Sequence, residues 1–446
     1  MQRDSIACIA GAASRSKVRY VVLAMIFMIT ALNYGDRATL SITASAMKGE
    51  LGLNAVQMGY LFSAFSWAYT LSQLPSGWLL DRFGARRVYG GSILLWSCFT
   101  LLQGVASLEL TMASILVVLF ALRFFMGIAE APAFPANAKI VSTWFPSTER
   151  GMASAVFNSA QYFSAVVFTP LMAWITHAFG WQYVYVTMGV LGVTMACVWM
   201  RAMKEPNDHP RVNQAELDYI GQSTPAARRE EALDTLARLG GWACARQLLS
   251  NRMLLGIYLG QFSISVLTYF FLTWFPVYLV QARGMTIMQA GVTASLPAIC
   301  GFLGGLLGGA FSDALARRGF SLGVARKLPI VLGMLLSLAI VGCNYVKADW
   351  LVIVLMSMAF FGKGFGALGW AVLADASPKA VVGLCGSIFN LFGNLAGIVT
   401  PIVIGYLIAS SGSFNGALLF VGANALLAIF SYLVIVGKIE RVKLVQ

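Results

Sequence analysis

Residues 75–87 read PSGWLLDRFGARR, and residues 308–319 read GGAFSDALARRG. Both place a glycine four residues before an aspartate, at Gly77/Asp81 and Gly309/Asp313, an offset of 232. A second pair repeats the offset: GMASAVFN begins at Gly151 and GLCGSIFN at Gly383, so Phe157 and Asn158 map onto Phe389 and Asn390. Each copy then runs on to a Thr-Pro pair, Thr169-Pro170 and Thr400-Pro401. A fixed internal period marks a chain built twice from one unit.

The material between these markers is apolar. Of 446 residues, 59% are hydrophobic and 11% are charged, with mean hydropathy +0.76. Soluble domains carry about 25% charged residues, so the chain reads as a membrane protein. Runs of about 20 apolar residues predict twelve spans: 19–45, 55–80, 88–106, 110–137, 151–175, 182–201, 253–280, 288–312, 328–346, 350–374, 382–409 and 416–437. With the N-terminus placed in the cytoplasm, 25 Lys and Arg fall on the cytoplasmic side. Three, Lys48, Arg283 and Lys347, fall outside, and three more lie within spans. That bias puts both termini inside and explains the net charge of +13 without a nucleic-acid partner. Residues 1–17 are polar and small, so no cleaved leader is expected. The seven cysteines show no paired spacing and read as packing residues.

The sequence therefore divides into a tail 1–18, a six-helix bundle 19–201, a polar linker 202–252, a second bundle 253–437 and a tail 438–446. An even number of crossings separates the copies, so they share one orientation about an axis normal to the membrane. Such parallel repeats enclose a midplane site in transporters. The linker has balanced charge and amphipathic patches, and reads as a tether lying along the membrane surface.

The segment GWLLDRFGARR resembles the loop signature of the major facilitator superfamily, and its degenerate second copy is GGAFSDALARRG. The stretches NYGDRATLS, MGYLFSAFSWAYTLSQLPSGWLLDRFG, GIAEAPAFPANAKIVSTWFPSTERG, FNSAQYF and FGALGWAVLADASPK resemble its anion:cation symporter branch, in particular the sugar-diacid permeases for D-glucarate and galactarate. The likeness runs from about residue 18 to the C-terminus. It implies an all-α fold of twelve transmembrane helices in two bundles related by a pseudo-twofold axis. It implies proton symport and points to Asp36 and Glu130 as the coupling acids. It places substrate contacts at Tyr69, Gln161, Trp370 and Asn390, and a gating latch at Asp81, Arg82, Arg86 and Arg87. Topology alone also accounts for those three arginines.

Five ionisable residues lie inside the spans: Asp36, Arg37, Arg123, Glu130 and Lys363. Each costs about 2.5–3.5 kcal/mol if it faces lipid at the centre of the bilayer. Such groups persist in pairs or in a wet cavity. Three cations and two anions leave one positive charge in surplus. Arg123 and Glu130, seven residues apart, share a helix face about 10 Å from each other, so each needs a partner elsewhere; Asp36 is the expected partner of Arg123. Pro132 and Pro135 remove backbone donors after Glu130 and bend the helix there. Lys363, flanked by Gly362 and Gly364, maps by the offset of 232 onto Ala131, the neighbour of Glu130. A diacid needs two cations, and Arg37 and Lys363 are expected to hold one carboxylate each, Arg37 in bidentate fashion. A carboxylate that loses its arginine to the substrate then takes up a proton.

Amides in apolar spans need partners. Asn158 and Gln161 in the fifth span, with Tyr162, and Asn390 and Asn394 in the eleventh are expected at the ligand or the gate; Tyr34, Gln261, Tyr269 and Trp274 are weaker candidates, and Gln73, near Pro75 and Gly77, reads as packing. His177 and His209 receive no role. No nucleotide loop, metal set, nucleophile elbow or triad is present in the sequence, so neither enzyme chemistry nor a cofactor is expected. The reading is of a monomeric, multi-pass protein of a bacterial inner membrane, taking up a sugar dicarboxylate with protons. The alternatives are a sugar monoacid such as galactonate or a hexuronate, or anion exchange.

Overall fold

A computed structural model describes residues 15–109, 112–146, 148–221, 241–378 and 381–442. The remainder of the N-terminal tail with Cys8, linker residues 222–240 and the last four residues lie outside the described part. Twelve crossings follow one another. The first six are α1 (Val18–Leu51), α2 (Ala55–Phe83), α3 (Ala85–Glu109), α4 (Met112–Glu130, resuming as Ala133–Trp144), α5 (Arg150–Phe179) and α6 (Gln182–Ala202). The second six are α7 (Arg252–Thr273, then Phe275–Gln281), α8 (Ile287–Arg317), α9 (Leu322–Ser337, then Ala339–Gly342), α10 (Asp349–Phe365, resuming as Gly369–Ala376), α11 (Val382–Ser411) and α12 (Asn415–Phe430, closing in a π turn over Ser431–Ile435). Among the described residues eleven helices are long and apolar enough to cross a membrane. The twelfth crossing is α2, whose buried Ser63 and Ser66 and half-buried Gln73 dilute its apolar character.

The repeat reaches into the helix ends. Asn54 accepts from the Gln57 backbone N–H at 2.8 Å while the Gln57 side chain accepts from the Asn54 N–H at 2.9 Å. Thr286 and Gln289, at the same offset of 232, close the equivalent box on α8. A capping box satisfies two of the donors a helix start leaves unpaired. Turns repeat as well. Gly52 (φ 61°) ends α1 where Gly284 (φ 68°) follows α7, and Gly180 (φ 108°) ends α5 where Gly412 (φ 67°) ends α11. A side chain at those angles would be strained.

Each bundle packs the same way: α1 on α5, α2 on α4 and α3 on α6, matched by α7 on α11, α8 on α10 and α9 on α12. Between the bundles α2 lies against α11 and α5 against α8. The axis relating them shows in one bond: Ser41 Oγ donates to the carbonyl of Thr273, its own counterpart 232 residues on, at 2.8 Å. Close backbone approach holds the seams. Gly59 meets the carbonyl of Pro401, Gly405 that of Ala55, and Gly291 the Ala173 methyl, each too near for an added Cβ. Ser295 Oγ donates to the Ala165 carbonyl (3.3 Å), Lys48 to Gln281 (3.0 Å), and the Tyr60 and Tyr406 hydroxyls meet at 3.3 Å. All these contacts lie in the half of the molecule away from the termini. Nearer the termini, Gly77, Gly151, Gly309 and Gly383 face open space. The bundles are closed at one face and splayed at the face that carries the chain ends.

The linker is more than a tether. Its helix Gln214–Gly221 docks on the first bundle through Glu216, which is fully buried. Glu216 accepts from Ser16 Oγ (2.5 Å), from the Val18 and Arg19 backbone N–H groups (3.3 Å each) and from the Arg19 guanidinium (3.1 Å). It thus caps the first turn of α1, which lacks a side-chain cap of its own. Arg19 also reaches Glu149 at 3.2 Å, at the start of α5. Glu216→Ala leaves a buried arginine and two helix N–H groups short of partners, a loss of roughly 2–3 kcal/mol. We expect it to lower the thermal unfolding midpoint of the detergent-purified protein by roughly 5 °C, whereas Asp218→Ala, two residues away on the exposed side of the same helix, leaves it unchanged.

Candidate functional site

Of the intramembrane charges, four belong to the first bundle. Adjacent residues on a helix point about 100° apart, so the Asp36 and Arg37 side chains leave α1 in different directions. Arg37 faces the seam. Its guanidinium forms an ion pair with Glu130: Nε donates to Oε1, and a terminal nitrogen lies beside the same oxygen. Around it stand the rings of Tyr69, Phe65 and Tyr34, with centroids 4.7, 4.8 and 5.0 Å away. Stacked aromatics attract a cation that has lost its water. Asp36 turns instead into the bundle, 1% exposed, towards Trp96 and Arg123.

The expected Arg123–Asp36 pair is not formed. Arg123 donates to the Arg37 carbonyl at 3.5 Å, and among the described residues neither Asp36 oxygen closes a hydrogen bond of good geometry. The acid paired with arginine is Glu130, and the arginine is Arg37. Which side of α1 meets Arg123 and Glu130 depends on the rotation of α1 about its own axis. Behind the pair lies a polar cluster that sequence reading missed. Asn33 lies beside Glu130, Asn137 donates to Thr30 Oγ1 at 2.9 Å, and Ser92 Oγ donates to the Ala129 carbonyl. Its signal was present in the amide at Asn137 in an apolar run. Buried polar atoms normally find partners. Among the described residues Asp36 Oδ1 and Oδ2, Glu130 Oε2, Asn33 Nδ2, Trp96 Nε1 and Arg123 Nε and Nη1 close no hydrogen bond of good geometry, although Trp96 faces Asp36 and Asn33 faces Glu130.

The second bundle supplies Lys363, 8% exposed, with Nζ 5.1 Å from the Phe360 ring centroid. Among the described residues it closes no ion pair. α4 and α10 both break at this depth. Glu130 is the last residue of its segment and Lys363 lies in the last turn of its own. The carbonyls at a helix C-terminus favour a cation and disfavour an anion. Lys363 is therefore partly stabilised where it stands, whereas Glu130 depends on Arg37.

The second bundle also brings Tyr269 to Asn394, hydroxyl to amide oxygen at 3.2 Å, and Gln261 to Ser265 at 3.3 Å. Gly397 approaches both Tyr269 and Ser66 across the seam. Trp370, 55% exposed, sets its ring edge-on to Phe389 at 4.8 Å, and Asn390 is half-buried on the next position of α11. In α5, Asn158 donates to the Ser154 carbonyl (2.8 Å) and Gln161 to the Asn158 carbonyl (3.1 Å), so neither amide joins one helix to another. Between the bundles lies a cavity of about 100 Å³ lined by Tyr34, Ser41, Gln161, Tyr162 and Thr169 on one side and Phe271 and Phe360 on the other. Neither Arg37 nor Lys363 lines it. The cavity is below the usual size of a ligand site.

At the splayed face Asp81 pairs with Lys139 of its own bundle at 3.0 Å. Arg86 donates to the Met200 carbonyl (3.0 Å), and Arg82 lies over Trp78 at 5.2 Å. Arg87 is half-exposed or more at the start of α3. In the second bundle Asp313 and Asp375 meet Arg326 at 3.8 and 2.9 Å.

Residues 26–325 match the Major Facilitator Superfamily. The chain belongs to that superfamily. It is 55% identical over 444 residues to the "Probable galactarate/D-glucarate transporter GudP" of Bacillus subtilis (strain 168), covering 100% of this chain and 97% of that one. It is 55% identical over 433 residues to the protein of the same name from Escherichia coli (strain K12), covering 96% of each. It is 40% identical over 431 residues to a "D-galactonate transporter" of Escherichia coli O6:H1, covering 97% and 98%. The solved "D-xylose-proton symporter" superposes with TM-score 0.72 at 16% identity, over 94% of this chain and 98% of that one, and shares the fold. The superfamily and these relatives identify a multi-pass membrane transporter.

In this superfamily member the Arg37–Glu130 pair is buried, so removing one partner leaves the other uncompensated. Arg37→Gln is expected to destabilise the purified protein by roughly 3 kcal/mol. Arg37→Gln with Glu130→Gln, which removes both charges, should recover most of that loss. Thermal unfolding of the two variants side by side decides it.

Proposed function

We propose that this transporter carries a six-carbon sugar diacid, galactarate or D-glucarate, inward with protons across a bacterial inner membrane, with both termini cytoplasmic. The observation that carries the reading is a cation on each bundle within an apolar helix: Arg37 on α1, ion-paired with Glu130, and Lys363 on α10, buried and in no ion pair among the described residues. The galactarate/D-glucarate name borne by relatives 55% identical over the whole chain supports the same substrate class. The excess of Lys and Arg at the splayed face supports the orientation. On it, the structure is the inward-open state of a single subunit.

The mechanism follows from charge. Arg37, Arg123 and Lys363 against Asp36 and Glu130 leave the empty site with one surplus positive charge. A dianion moving inward against an inside-negative potential loses about 2.3 kcal/mol per charge per 100 mV. Two protons, one on each acid, cancel both charges, and the loaded carrier then bears the same net charge as the empty one. One substrate carboxylate draws the Arg37 fork from Glu130, which accepts a proton in exchange; the other carboxylate is held by Lys363. Tyr34, Tyr69, Gln161, Asn158, Trp370, Asn390 and Asn394 offer hydroxyls, amides and ring faces to the polyol. Occupied by substrate, the bundles rock about the Ser41–Thr273 axis, opening the closed face and shutting the splayed one. There Asp81, Arg82, Arg86 and Arg87 act as the latch.

Lys363 is what distinguishes a diacid from a monoacid. A site for galactonate, the substrate named for the relative at 40% identity, needs one cation fewer.

In proteoliposomes, labelled galactarate should accumulate with an imposed pH gradient, collapse with a protonophore and stay indifferent to a potassium–valinomycin potential. Asp36→Asn and Glu130→Gln should abolish accumulation while galactarate still exchanges across the membrane. Lys363→Gln should raise the apparent KM for galactarate about tenfold or more, with less effect on any galactonate uptake. Accumulation driven by sodium, or an unchanged KM in Lys363→Gln, overturns the scheme.

A further inference from the structure

The three basic residues that the spans place on the face away from the termini line a single basin. Lys48 ends α1, Arg283 follows α7 and Lys347 precedes α10, and all three border one cavity of about 1050 Å³. The first bundle contributes Ser45 to Ala55 and the second bundle contributes three loops, so the basin straddles the seam. Basic residues on this face run against the charge bias that orients the protein. Topology explains the other face; it leaves these three, and their convergence, unexplained.

Arg283 is spoken for. It pairs with Asp349 at 2.8 Å and donates to the backbone carbonyls of Val346 and Lys347. Lys48 meets only a neutral amide, Gln281, at 3.0 Å. Lys347 is exposed and closes no ion pair among the described residues. Glu50, two residues from Lys48, is turned away to the Trp181 indole (2.6 Å) and Gln182 (3.2 Å). Among the described residues these two cations are thus uncompensated. Asn344 also lines the basin, and its Oδ1 is buried without a donor, an acceptor in want of a hydroxyl.

We propose that this basin is a capture site for a small polyhydroxy dicarboxylate, which Lys48 and Lys347 concentrate at the closed gate before the bundles part. The identity of the anion rests on the transport reading above; the site itself does not. Walls of low dielectric focus a field of one sign and raise local counter-ion concentration and on-rate, and salt weakens that effect.

The test uses a cysteine reporter in the basin, Asn415→Cys, with the wild type and its buried Cys343 as background. At low ionic strength an anionic sulfonatoethyl thiosulfonate should label the reporter faster than a cationic trimethylammonioethyl one. Lys48→Gln with Lys347→Gln should reduce that ratio about threefold or more, and high salt should erase the difference. Millimolar galactarate should slow the anionic reagent, and galactitol should not. In transport, the double variant should raise the galactarate KM about three- to tenfold with kcat within about twofold. A ratio unmoved by the two substitutions, or labelling indifferent to galactarate, overturns the proposal. Protection by galactarate in a protein that fails to take it up would leave the capture site standing and remove the transport reading.

Discussion

A guanidinium buried beside a carboxylate, with three aromatic rings around it, is the interaction on which this molecule turns. Arg37 and Glu130 are costly in the apolar phase one at a time and tolerable together. Glu130 has the weaker position, since it ends a helix segment whose carbonyls repel it. A ligand that offers Arg37 a better or an additional carboxylate therefore disturbs the pair from the side of the base and leaves the acid exposed to protonation. The neighbouring polar atoms from Asp36 to Trp96 and Arg123, which close no hydrogen bond of good geometry among the described residues, belong to the same network.

The duplicated architecture places this network against a counterpart. Each bundle repeats the packing, the caps and the turn glycines of the other, and the two meet across a bond between Ser41 and its own mate Thr273. A break in α4 is answered by a break in α10, so Glu130 and Lys363 occupy matching ends of matching segments with opposite charge. Glycine contacts let α2 lie on α11 and α5 on α8 at backbone distance. The linker helix, fixed by the buried Glu216, moves with the first bundle and carries the start of α1 with it.

Much of this was legible in the chain. The offset of 232 gave the two copies, and the apolar runs gave every crossing, α2 included. The charges within the spans singled out Asp36, Arg37, Arg123 and Glu130, which gather in the first bundle, and Lys363 in the second, and Pro132 marked the break in α4. What the chain withheld was rotation. A helix's axial orientation decides which of two adjacent residues faces the seam, and that is set by packing with neighbours far away in sequence. Hence Arg37 rather than Asp36 meets Glu130 and the Tyr34–Phe65–Tyr69 rings. The same reason hid the Tyr269–Asn394 contact and the polar cluster at Thr30, Asn33 and Asn137. Docking of the linker was hidden differently: Glu216 sits in a charged stretch where one buried acid among exposed ones carries no sequence mark.

The central claim is an exchange of partners: substrate takes Arg37 and Glu130 takes a proton. Infrared difference spectroscopy of the purified protein, recorded on adding galactarate, reads that exchange at the carboxyl group itself. The account predicts a new carbonyl stretch of a protonated carboxylic acid, absent in Glu130→Gln and absent when galactitol replaces galactarate. Binding of galactarate with no such band, or with a band that survives in Glu130→Gln, would contradict it.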